Sequence, residues 1–166
     1  YRKGDFKEFG LFIIQFHKDC QLLFVIIDDR IPVVSRTNSI VFAHCKDPNE
    51  IWVPLLEKAY AKLFGCYKAL IGGYSHYALA DLTGYCPRLI GLKPGFMGFM
   101  QDMNDDDLWD LLCKYKRWGS FMACSIQSDP KAGKKVEADA GCGLFMGHAY
   151  SLLDIGQISL PLPNKP

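Results

Sequence analysis

No stretch of this sequence holds the roughly 18 consecutive apolar residues that a membrane-spanning helix requires. Its longest apolar run, Leu22 to Ile27, has the length of a strand. Nor is there an excess of charge of either sign, since 19 Lys and Arg stand against 18 Asp and Glu. Without a basic face there is no electrostatic footprint for nucleic acid or for an anionic membrane, and neither is expected as a partner. No two cysteines have C-x-x-C spacing, and Cys142 with His148 lacks the further ligands of a zinc site. A serine nucleophile elbow is also missing, as are internal repeats and low-complexity tracts. The chain opens at Tyr1 with neither initiator Met nor signal segment and stops at Pro166, which reads as an excised piece.

What is present is apolar material. Of the 166 residues 49% are hydrophobic and 13% aromatic, enough to build a packed core in one domain or two small lobes. Seven cysteines, an odd number in irregular and mostly apolar contexts, suit reduced thiols and a cytoplasmic protein better than a disulfide framework.

The order of elements is that of an α+β chain. Leu11 to Phe16 and Leu22 to Ile27 predict a hairpin, closed by Asp28, Asp29 and Arg30, with Pro32 marking the exit. Ile40 to Ala43 predicts a short strand. Trp52, Leu55, Leu56, Ala59, Tyr60 and Leu63 recur at helical spacing up to Gly65, with Asp47 and Asn49 as candidate caps. The acids from Asp102 to Asp107 do not form a calcium loop, because the turn glycine is replaced by Asp107 and the closing glutamate by Cys113. They instead head a helix through Leu108, Leu111, Leu112 and Tyr115, with Lys114, Lys116 and Arg117 at its other end and Gly119 as its stop.

Phe121 to Ile126 predicts a strand and Gln127 to Asp139 a loop. Gly147 to Ile155 predicts a further strand, and Ile158, Leu160 and Leu162 a final alternation. The weakest join lies between Gly84 and Gly95, where Pro87 and Pro94 separate a first half built on the long helix from a strand-rich second half. Two lobes, 1–84 and 85–166, with a cleft between them follow from that division.

Three places stand out chemically. His148 lies between Gly147 and Ala149 at the mouth of a strand, which suits a general base and equally suits an ordinary strand end. Gly72 and Gly73 allow a backbone to approach closely, or simply make a turn. Glu50 precedes a helix, where negative charge is favourable.

Five strings in the same order resemble one family, the calpain-type cysteine peptidases. They are IIDDRIPV, NEIWVPLLEKAYAKLFGCYKALIGG, DLTG, GSFMACSI and GHAYS, and the resemblance extends over about residues 10 to 155. The resemblance implies part of a papain-like, two-lobed catalytic core, with a helix-containing first lobe and a strand-rich second one. It further implies that His148 is the catalytic histidine, that Gly72 and Gly73 pair with an extended substrate peptide, and that Glu50 helps to bind calcium in regulated members. Asn164 is the best match for the asparagine that orients the histidine, although Pro161 and Pro163 flank it and no tryptophan follows; a loop asparagine is the other reading.

One departure is decisive for activity. The family's glutamine, glycine, cysteine, tryptophan motif, which carries the nucleophile upstream of the first hairpin, does not occur in these residues. Two functions therefore remain open. In the first, the chain is part of an intracellular cysteine endopeptidase, calcium-dependent as the resemblance implies for regulated members, whose nucleophile lies upstream, acting on protein or peptide substrates within a larger parent. Alternatively, it is an inactive calpain-like domain serving as a structural or peptide-binding module in an assembly.

Overall fold

The computed structural model describes residues 9–126 and 138–158. The chain divides into two compact units, Tyr1–Arg88 and Leu89–Pro166, and each has its own elements.

In the first unit, β1 (Leu11–Lys18) and β2 (Gln21–Asp28) form the expected antiparallel hairpin. Its two-residue loop is Asp19 and Cys20, at φ 50° and 61°. Positive φ at both positions matches the loop to the right-handed twist of the strands, and it fixes the register that pairs Phe16 with Leu23 and Ile14 with Val25. Helix α1 (Trp52–Leu63) packs on one face of this hairpin. Phe16, Val25, Ile27, Leu55 and Ala59 are buried where they meet, bordered by Phe12, Ile14, Leu56, Tyr60 and Leu63. Ala59 lets the helix come close to the strands, and Phe16, fully buried, fills the space beside it.

Polar side chains of α1 fasten it to its surroundings. The Lys58 ammonium donates to the Asp28 carboxylate and to the carbonyls of Asp28 and Arg30, and Lys62 donates to the Ile26 carbonyl at 2.7 Å. Lys58 and the Arg30 amide hold the Asp28 carboxyl below its ordinary range. Glu57 accepts from the Ala43 amide at 2.8 Å, next to the stacked rings of Phe42 and Tyr67.

The start of α1 corrects one expectation. Neither Asp47 nor Asn49 caps it: Ile51 is the N-cap, with no side-chain hydrogen bond. Asp47 is occupied by a tight local turn, accepting from the Asn49 amide at 2.9 Å. Pro54 is tolerated as the third helical residue because an amide there would have no helical acceptor. A second correction concerns Ile40 to Ala43, which contributes only an isolated bridge from Ile40 to Val33. The turn that joins them spends its hydrogen bonds internally, with the amides of Thr37 and Asn38 donating to the Val34 carbonyl.

A 3-10 turn (Tyr67–Leu70) and helix α2 (Ser75–Thr83) complete the unit. The only buried residue of α2 is polar, Asp81. Its carboxylate accepts from Tyr60 Oη at 2.8 Å and from Lys18 Nζ at 3.3 Å. Burial first, and the Asp81 carboxylate second, push the Tyr60 phenol well above its ordinary value of 10.0. The folded state thus favours the protonated phenol. Its contribution to stability is intact below about pH 10 and is lost as pH rises further, because the unfolded tyrosine then ionises first. Tyr60→Phe should therefore flatten the fall in melting temperature between pH 9 and 11, and an unchanged slope would contradict this account.

The second unit holds helix α3 (Asp105–Arg117), β3 (Ala123–Ser125), β4 (Ala138–Asp139), β5 (Phe145–Met146) and β6 (Ala149–Ser151). Asn104 and Asp107 form a reciprocal capping box at the head of α3, and Asp105 and Asp106 add charge to its first turn. At its end the Ser120 amide donates to the Tyr115 carbonyl and the Gly119 amide to the Lys116 carbonyl. This double closure needs the left-handed backbone of Gly119, at φ 67°. β3 pairs with β6 and β4 with β5, both antiparallel. The two long strands expected here are each only three residues, within 121–126 and 147–155. Most of the 127–139 loop and the alternation at Leu160 and Leu162 lie outside the described residues.

Candidate active site

His148 stands one residue ahead of β6. The backbone fixes it from both sides. Before it, the Gly147 amide donates to the Ile126 carbonyl at 2.7 Å, and after it Ala149 pairs with Ser125. The chain can turn into the strand at this point because Gly147 sits at φ 75°. Tyr150 supports the same corner: its hydroxyl accepts from the Phe145 amide at 2.8 Å, and its ring meets the His148 imidazole edge-on, with centroids 4.9 Å apart. The imidazole is exposed and anchored, as a group that takes and returns a proton must be.

Gly72 and Gly73 connect the 3-10 turn to α2. Gly72 lies at φ 76°, a left-handed conformation that only glycine adopts without strain. A Cβ built on either glycine would meet no atom within 4 Å, so this stretch of backbone is open to an approaching chain. Three rings follow directly: Tyr74, His76 and Tyr77 contact one another, with His76 and Tyr77 centroids 4.2 Å apart. This cluster escaped the sequence reading, although aromatic residues just after a glycine pair were the available signal.

Glu50 is exposed, and its amide donates to the Asp47 carbonyl at 3.1 Å. Calcium takes six to eight oxygen ligands, typically from several carboxylates and carbonyls. Among the described residues no three His, Cys, Asp or Glu side chains come together in a way that could hold a metal ion. Glu50 thus offers a single exposed carboxylate at this point of the chain. Asn164 lies outside the described residues.

All seven cysteines carry free thiols. Cys20 is in the hairpin loop, Cys113 within α3 and Cys124 within β3. Cys66 precedes the 3-10 turn, whose four residues make too short a dipole to activate a thiol.

A family model described as calpain family cysteine protease matches residues 2–164. Calpain-5 of Mus musculus is 36% identical over 151 residues, which is 91% of this chain and 23% of the relative. Calpain-B of Drosophila melanogaster is 34% identical over 163 residues, 97% of the chain and 16% of the relative. Calpain clp-1 of Caenorhabditis elegans is 39% identical over 143 residues, 86% of the chain and 16% of the relative. The chain thus spans about a quarter or less of the length of these relatives. No helix among the described residues is long and apolar enough to cross a membrane.

Proposed function

Because this chain belongs to the calpain family of cysteine proteases and has the mixed architecture of a partial calpain catalytic core, we propose that it forms part of the catalytic domain of an intracellular cysteine endopeptidase, with the nucleophilic cysteine in the parent protein upstream of Tyr1. The unit Tyr1–Arg88 is then the later part of the first lobe, and Leu89–Pro166 the second lobe. The seven free thiols favour a reducing, cytoplasmic setting.

The observation that carries this reading is the exposed imidazole of His148, on a backbone anchored at Gly147 and at Ala149, within the GHAYS string. In the proposed reaction His148 takes the thiol proton, and the thiolate forms a bond to the scissile carbonyl carbon. The tetrahedral oxyanion then collapses, the C–N bond breaks, and the imidazolium returns its proton to the leaving amine. Water, deprotonated by His148, attacks the thioester and releases the acid and the free thiol. Asn164 would hold the imidazole in the productive orientation, and Gly72 and Gly73 would pair with the extended substrate. Glu50 would offer one carboxylate to calcium in a parent regulated by that ion.

A peptide epoxide directed at thiols tests the proposal on the complete protein. Mass spectrometry should place the label on a cysteine upstream of Tyr1 and on none of the seven here. Absence of labelling would overturn the peptidase reading and leave an inactive domain that serves as an interaction module.

A further inference from the structure

α2 lacks the usual means of fixing a helix in place. It has nine residues, its N-cap Tyr74 makes no side-chain hydrogen bond, and no apolar side chain along it is buried. Instead it has one buried carboxylate, on which two distant elements converge. Lys18, 63 residues away at the end of β1, approaches Asp81 at 3.3 Å, and Tyr60, 21 residues away on α1, donates to it at 2.8 Å. At the end of the helix Gly84 leaves room for the His17 ring, whose Nδ1 would lie 2.6 Å from a Cβ at that position.

An apolar contact lets a helix slide or roll at little cost, whereas directed hydrogen bonds from two sides set both its rotation and its position along the axis. Asp81 is six residues beyond Ser75, so it stands about 9 Å along the axis from the helix start. Only Tyr74 separates that start from Gly73. A tilt of about 10° about Asp81 would move the start by roughly 1.5 Å, and a misplacement near 1 Å can cost on the order of a hundredfold in rate.

We propose that Asp81, held by Lys18 and Tyr60, is a positioning residue that fixes the Gly72–Gly73 loop through α2; its effect on substrate rests on the reading of that loop as the substrate-pairing segment. The buried acid serves the geometry of the Gly72–Gly73 loop and not only the stability of the unit.

The test compares Asp81→Asn, Tyr60→Phe and Lys18→Arg in the complete protein, by amide hydrogen exchange and by turnover of an extended peptide. Asp81→Asn should speed exchange at the hydrogen-bonded amides of α2, up to Gly84, about tenfold while the amides of β1 and β2 stay within about twofold. It should raise KM several-fold with a smaller change in kcat, whereas Lys18→Arg, which keeps a cation beside Asp81, should shift exchange and KM by no more than about twofold. Tyr60→Phe, the milder change, should give the same local pattern at reduced size if Asp81→Asn fails to fold. Uniform acceleration across β1, β2 and α2 would overturn the proposal, as would unchanged exchange in α2. Local acceleration with KM unchanged, in both Asp81→Asn and Gly73→Ala, would support the positioning role and sink the substrate reading of the loop instead.

Discussion

His148→Ala in the complete protein is expected to lower peptide turnover by at least about a thousandfold. A cysteine thiol has only a small thiolate fraction at neutral pH, and the partner imidazole both raises that fraction and protonates the amine that leaves. Removing the ring withdraws both contributions, and because they act in one sequence the loss is not divided between separate steps. Stability should change little, since His148 is exposed and its edge contact with the Tyr150 ring is worth about 0.5–1.5 kcal/mol. A control separates the two effects: Tyr150→Phe keeps the ring but frees the Phe145 amide from its 2.8 Å acceptor. It should loosen the corner and reduce turnover far less than His148→Ala does. Turnover within threefold of the parent protein after His148→Ala would remove His148 from the mechanism.

The first unit was largely legible because its signals are local. The hairpin followed from two apolar runs separated by a polar pair, and α1 from the helical spacing of Trp52 through Leu63. The head of α3 followed from its run of acids. What could not be read were features decided at long range. Asp81 is one acid among 18 acidic residues, and only the folded chain brings Lys18 and Tyr60 to it. The cap of α1 was misread because Asp47 and Asn49 had a competing local partner in each other.

The candidate site divides the same way. GHAYS and the glycine pair were visible as strings, but the openness of the backbone at Gly72 and Gly73, and the ring cluster beside it, depend on how the chain turns into α2. The short strands of the second unit were overestimated because an apolar run states a preference without a length; pairing partners set that length, and β6 finds only three residues of β3 opposite it.

The hairpin also posed a question its sequence could not answer, namely which face is inside. Leu11 to Phe16 and Leu22 to Ile27 are apolar on both sides of the pleat, and alternation therefore gives no direction. The fold chooses the face of Phe12, Ile14, Phe16, Leu23, Val25 and Ile27, and it leaves Ile13, Phe24 and Ile26 at 36%, 52% and 52% exposure. Phe16→Ala should accordingly cost about 3–5 kcal/mol, since it removes a fully buried ring whose neighbours, Ala59 and Leu55 on α1 and Val25 on β2, are held by helix and strand and cannot collapse into the void. Ile13→Ala, on the same strand but the opposite face, should cost under about 1 kcal/mol. Urea unfolding followed by Trp52 fluorescence, in a background carrying Trp109→Phe and Trp118→Phe, would compare the two within the first unit. Equal costs would mean that the outer face is as well covered as the inner one, and the assignment of the core to one side of the hairpin would fail. A loss of 3–5 kcal/mol is a large share of the 5–15 kcal/mol that holds a typical domain together, so Phe16→Ala should also release α1, and with it the Tyr60 hydroxyl that steadies Asp81.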